Sequence, residues 1–162
     1  MVGRWGARFQ GRAFPVSIGR GGLSDRKREG DGATPVGVWL LLRGYWRGDR
    51  VVRPKSNLDI STIGPMDRWS DDPLDPHYNR HVRACSWPYS HECLRRGDKL
   101  YDIVIVTNHN DVARPHEGSA IFVHCWRSAR HPTAGCIAFR PDHLRWILAR
   151  WTSASRLIIH SR

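Results

Sequence analysis

Two side chains in the last third of the sequence have types and a spacing that suit acyl transfer. His124 follows Ala120-Ile121-Phe122-Val123, a short apolar run that reads as a buried strand with the histidine at its end. Eleven polar-rich residues follow, among them Arg127, Ser128, Arg130, His131 and Pro132, and these read as a surface loop. The chain then returns through Gly135 to Cys136 and a second apolar run, Ile137-Ala138-Phe139. Such a loop brings a thiol back towards an imidazole. A free thiol is mostly protonated at neutral pH and its thiolate is the nucleophile; a neighbouring imidazole that takes the proton activates the sulfur. Gly135 lets backbone approach a substrate closely, and the Gly135 and Cys136 amides can point at a developing oxyanion. Taken singly, a cysteine and a histidine are more often a buried structural thiol and a hydrogen-bonded strand-end ring.

The surroundings favour the chemical reading. His124 with Thr133-Ala134-Gly135-Cys136-Ile137 resembles the signature of the L,D-transpeptidase (YkuD) family of peptidoglycan enzymes. Upstream, Asp31-Gly32-Ala33-Thr34-Pro35-Val36-Gly37 is similar to that family's early Asp-Gly-x-Thr-Pro-x-Gly turn, and Trp69 to Pro73, Tyr78-Asn79 and Ser90-His91-Glu92 resemble a small, short-chain subgroup. The sequence departs from the commoner pattern at Cys125, Ala134 and Ala138, where many members have Gly, a second His and an Arg. Arg140, two residues beyond Ala138, is the candidate for the missing guanidinium, and His91 with Glu92 the candidate for the missing histidine. Neighbours in a strand face opposite ways, so one of that pair is expected in the site.

The resemblance implies a mostly β, sandwich-like catalytic fold with a C-terminal helix and long irregular loops, spanning residues 1–162 as one domain. It implies that Cys136 attacks a tetrapeptide stem of peptidoglycan, releasing D-alanine and forming a thioester. His124 would carry the proton, Thr133 position the loop, and Tyr78, Asn79, His91, Glu92 and Arg140 line the substrate site. An amine of another stem would then resolve the thioester into a cross-link. With water as acceptor the same chemistry is L,D-carboxypeptidase action, trimming tetrapeptide to tripeptide. A non-catalytic module for nucleic acid or cell wall would account for charge and aromatics, but not for the Cys–His spacing.

Composition sets the outer bounds. The chain has 162 residues, 40% hydrophobic and 25% charged with eight tryptophans, enough for one packed core. Its formal charge of +11 suits anionic partners. Yet the basic residues are scattered, and no zinc-finger or RNA-recognition signature requires nucleic acid. Cys85, His91 and Cys93 lack ligand-pair spacing, so neither metal nor cofactor is expected, and sequence leaves open whether Cys85 and Cys93 are bridged. No segment suits a membrane span, and residues 1–20 lack an apolar leader core. The expected location is periplasmic if a leader has been removed and cytoplasmic otherwise; the expected state is a monomer acting on muropeptides.

Short strands are predicted near Arg8–Gln10 and Phe14–Gly19, and a central strand over Val38–Leu42 continuing to Gly44–Trp46. The Asp31–Gly37 turn is read as structural, setting the register of that strand. Residues 47–100 are read as irregular. Tyr101–Asn108 is the clearest strand. Pro141 opens a helix whose Leu144, Ile147, Leu148 and Trp151 share one face, and Leu157–Ile159 closes the chain as a strand.

Overall fold

The computed structural model describes residues 1–161. The chain opens with β1 (Val2–Gly3), β2 (Gly6–Phe9), β3 (Arg12–Phe14), β4 (Leu23–Ser24) and β5 (Thr34–Pro35). It continues through β6 (Gly37–Trp39), β7 (Leu41–Trp46), β8 (Ile60–Thr62), β9 (Asp67–Ser70), β10 (His81–Arg83) and β11 (His91–Cys93). It ends with β12 (Ile103–Thr107), β13 (Phe122–Cys125), β14 (Ile137–Phe139), helix α1 (Pro141–Leu148) and β15 (Leu157–Ile159). The fold is mostly β with one C-terminal helix, as the sequence predicts.

A central five-stranded sheet, in the order β14-β13-β12-β7-β8, is covered on both faces. Every side chain of β12 is buried, which is why Ile103-Val104-Ile105-Val106 is continuously apolar rather than alternating. Ile103, Ile105, Val123, Cys125, Ile137 and Phe139 form one face and pack against Val2, Ala7, Phe14 and Ile159 of a second five-stranded sheet, β3-β2-β1-β15-β6, and against α1. The opposite face presents Tyr45, Val104, Val106, Phe122 and Cys136 to Trp69 of a three-stranded sheet, β10-β9-β11, and to Leu94, which follows β11. Pro141 takes the first turn of α1, where its missing N–H leaves no hydrogen bond unmade. Leu144, Ile147 and Leu148 face the core.

Three expectations need correction. The strand expected over Phe14–Gly19 stops at Phe14, the end of β3, with single bridges at Ser17 and Gly19 beyond it. The apolar run from Val38 is not one strand. β6 pairs with β15 in the second sheet, whereas β7 pairs with β12 in the central one. The chain changes sheets at Leu40, which exchanges hydrogen bonds with Asn108: its N–H donates to the side-chain oxygen (2.7 Å) and its carbonyl accepts from the Asn108 N–H (3.1 Å). Residues 47–100 are likewise more regular than their prolines suggest, because β8 to β11 lie within them. Their aromatics anchor the segment: Trp69 stands edge-on to Phe122, with ring centroids 5.1 Å apart.

Leu144 is fully buried between α1 and the two large sheets. Leu144→Ala is expected to cost about 2–5 kcal/mol of stability, read as a lowered denaturation midpoint with an unchanged denaturant slope.

Candidate active site

β13 and β14 run parallel, so the segment joining them must cross back over the sheet edge. That return brings Cys136, the residue before β14, alongside Phe122, whose N–H donates to Cys136 Sγ (3.4 Å). His124 is opposite Ala138 in the same register. Phe122 and His124 therefore point to one face, and Cys136 and Ala138 share it. β13 begins at Phe122 rather than at Ala120, where the apolar run starts. Ala120 is turned out of strand geometry, at φ 51°.

That turn aims the Ala120 carbonyl at the thiol, and Cys136 Sγ donates to it (3.1 Å). A non-glycine residue at positive φ needs external support, and Asn79 supplies it. Its side-chain oxygen accepts from the Ala120 N–H (3.1 Å) and from Trp69 Nε1 (3.0 Å), while its amide donates to the carbonyls of His109 and Asn110. Asn79, expected to touch substrate, is buried and fully used in holding the backbone behind the thiol. Tyr78 is buried beside it and donates its hydroxyl to the Glu29 carboxylate.

The loop before Cys136 is fixed by two hydroxyls. Thr133 Oγ1 accepts from the Gly135 N–H (3.1 Å) and donates to the Cys136 carbonyl (2.6 Å). The Gly135 amide is thereby engaged, so it is not the open oxyanion donor expected of it. Gly135 sits at φ 140°, and a Cβ there would come within 3.0 Å of the Ala33 carbonyl. From 101 residues upstream, Thr34 Oγ1 donates to the Gly135 carbonyl (2.7 Å) and accepts from the Gly19 N–H (2.8 Å). The early Asp-Gly-x-Thr-Pro turn is thus a brace for the nucleophile loop as well as the entry to β6.

His124 Nδ1 faces the Cys125 carbonyl at 2.7 Å. A carbonyl only accepts, so Nδ1 carries the proton and Nε2 holds the lone pair. Burial lowers the His124 pKa to about 4, against a smaller raising effect of that carbonyl. Burial pushes the Cys136 thiol up to about 12, despite the Phe122 N–H. Cysteine and histidine are both neutral at pH 7, with no hydrogen bond between them. The Tyr101 ring stands edge-on to His124 (5.3 Å), its phenol pushed up by burial, and its hydroxyl donates to Glu92 (3.4 Å).

Cys136 and His124 open into a cleft of about 590 Å³ lined by both charge signs. Arg20, Lys27, Arg96 and Arg127 contribute cations; Glu29, Asp71 and Glu92 contribute carboxylates. Asp71 and Glu92 both have raised pKa values, from burial first; next among the raising influences come Glu29 for Asp71 and Asp71 for Glu92. Ala134 and Ala138 also line it, so the two departures from the commoner pattern leave space where larger side chains would sit. Glu92 faces the cleft, whereas His91, its strand neighbour, does not line it and turns its Nδ1 to the Tyr89 carbonyl (2.8 Å). Arg140 is also outside it, exposed at the start of α1 and paired with Asp142, because α1 begins where an extended strand was expected to continue. Arg20, Lys27, Arg96 and Arg127 are not recognisable in the sequence, since nothing local to a lone cation says which fold surface it will reach.

Among the described residues all four cysteines are free, and no three His, Cys, Asp or Glu side chains gather as a metal site. Among the described residues no helix is long and apolar enough to cross a membrane. The model of the L,D-transpeptidase catalytic domain, YkuD, matches residues 7–159, nearly the whole chain. The chain belongs to the YkuD family. Neither the curated proteins nor the solved structures contain a match. YkuD membership accords with the mostly β fold and its one C-terminal helix.

Thr34→Val removes the hydroxyl but keeps the shape, leaving the Gly19 N–H and the Gly135 carbonyl unpaired. A loss of about 1–3 kcal/mol is expected, with turnover per folded molecule reduced and Thr34→Ser restoring both. His124 gives a separate pH test. Its folded pKa lies below the ordinary value of 6.5, so the unfolded chain binds the extra proton between pH 6.5 and 4. Its contribution is therefore present above pH 6.5 and lost as pH falls through that window, at about 1.4 kcal/mol for each tenfold difference in proton affinity. The fall in melting temperature between pH 7 and 4 should be shallower in His124→Asn, which can still donate to the Cys125 carbonyl.

Proposed function

We propose that the protein is a peptidoglycan L,D-transpeptidase that works through a thioester on Cys136. The observation that carries this is that Cys136 and His124 open together into one cleft lined by both charge signs, within a YkuD chain. A tetrapeptide stem has both carboxylates and an ammonium group. A cleft lined by Arg20, Lys27 and Arg127 on one hand and by Glu29, Asp71 and Glu92 on the other suits such a peptide.

Burial disfavours both thiolate and imidazolium at rest, so proton transfer accompanies attack instead of preceding it. Sγ bonds to the carbonyl carbon of the L-centre of diaminopimelate as its proton passes to His124 Nε2. The amide of Cys136 receives the oxyanion, because Thr133 occupies that of Gly135. Collapse breaks the C–N bond, and D-alanine leaves with the proton from Nε2. The amine of a second stem then attacks the thioester, gives a proton to Nε2, and leaves an amide as the thiol is restored.

The test is incubation with a purified disaccharide-tetrapeptide and mass spectrometry of the products. A cross-linked dimer one D-alanine lighter is expected, and Cys136→Ala should reduce its formation by at least about a thousandfold. Tripeptide without dimer would make water the acceptor and the enzyme an L,D-carboxypeptidase. A tetrapeptide thioester that still forms in Cys136→Ala would defeat the assignment.

A further inference from the structure

The net charge of the chain is not spread evenly. Residues 25–117 hold fifteen Lys or Arg and fourteen Asp or Glu, so they nearly balance. Residues 1–24 and 118–161 hold ten arginines and a single acid, Asp142. Part of this excess is gathered by the fold: Arg4, Arg8 and Arg12 lie in or beside β1 to β3, and Arg156 just before β15, in one sheet where β1 pairs with β15, whereas Arg20 and Arg127 line the cleft.

On this sheet lies a groove of about 600 Å³, separate from the catalytic cleft. Gly3, Gly6 and Ala13 make a low floor, and Arg4, Trp5, Arg8 and Arg130 make its walls, with no Asp or Glu among the lining residues. Trp5 is 80% exposed, and the Arg4 guanidinium stacks on it at 5.2 Å. The Trp146 ring is flanked by Arg12 (4.7 Å) and Arg150 (4.1 Å). A guanidinium stacked on a ring uses its face and keeps its in-plane N–H groups for an anion. Among the described residues Arg4, Arg8, Arg12 and Arg130 form no ion pair with a carboxylate.

Groove and cleft share two walls. Phe14 and Pro15 line the groove and Arg20 the cleft; Arg130 lines the groove and His131 to Thr133 the cleft. The two segments are bonded to each other: the Thr133 N–H donates to the Ile18 carbonyl and the Arg20 N–H to the Thr133 carbonyl (both 2.9 Å). The groove and the cleft thus adjoin along these two bonded segments.

We propose that this groove binds the glycan strand of peptidoglycan, with sugar ring faces on Trp5 and stem-peptide carboxylates on Arg4, Arg8 and Arg130. A strand held there presents its stems to Cys136. The choice of occupant rests on the transpeptidase reading; the charge and the exposed aromatic ring stand without it.

Co-sedimentation with purified sacculi tests binding alone, in a Cys136→Ala background so that nothing turns over. Trp5→Ala with Arg8→Glu should weaken sedimentation by about tenfold or more. In the Cys136 protein the same changes should leave turnover of the soluble disaccharide-tetrapeptide within about twofold. Equal sedimentation of parent and variant overturns the groove. Loss of sedimentation alongside absence of turnover by either protein keeps the groove and defeats the catalytic reading instead. Steeply salt-dependent binding to an oligonucleotide, with no sedimentation on sacculi, overturns the glycan assignment in favour of a nucleic-acid face.

Discussion

The hydroxyl of Thr34 is the contact on which the site depends. It joins the Gly135 carbonyl, the Gly19 N–H and the turn leading into β5 and β6, three segments far apart in sequence. A buried hydroxyl with both donor and acceptor roles filled is rigid, and leaving either partner unpaired costs more than a single bond is worth. Gly135 answers it from the other side, since any Cβ would press on the Ala33 carbonyl and open the brace. Cys136 is thus positioned less by its own loop than by a turn about a hundred residues away.

A second device works behind the sulfur. Asn79 and Ala120 both adopt positive φ, and their hydrogen bonds make one unit in which neither conformation stands alone. Its effect is to point a carbonyl at the thiol, which favours the protonated sulfur. Burial acts in the same direction on Cys136 and against protonation of His124. The resting site is therefore uncharged at its centre and charged around its rim.

Sequence patterns reveal those parts of the fold whose signal is local. β12 announces itself by β-branched residues buried on both faces, α1 by its leading proline and apolar face, and the Cys–His cleft by motif spacing. The crossing between sheets at Leu40 is hidden, since an apolar run looks the same whether it ends in one sheet or two. Arg140 departs from its expected place because strand alternation does not extend past the point where Pro141 turns the chain into a helix. Asn79 has the character of a ligand contact, yet its four hydrogen bonds all go to groups of the protein itself; the two uses look identical in one dimension. His91 and Glu92 are separable in sequence only up to a choice, which the pairing of β11 with β9 decides.

The parallel pairing of Val2 with Ile159 bears on how the molecule is made. β15 lies between β1 and β6, so these two early strands have no common neighbour until residue 159 emerges. Pairings so distant in sequence form slowly, because the long loop must close before any contact repays it. On the ribosome the central sheet can gather from β7, β12, β13 and β14 while the β1–β3 ribbon waits with an open edge. Until that strand is added, the β1–β3 ribbon with Arg4, Arg8 and Arg12 keeps one edge open to any other extended chain.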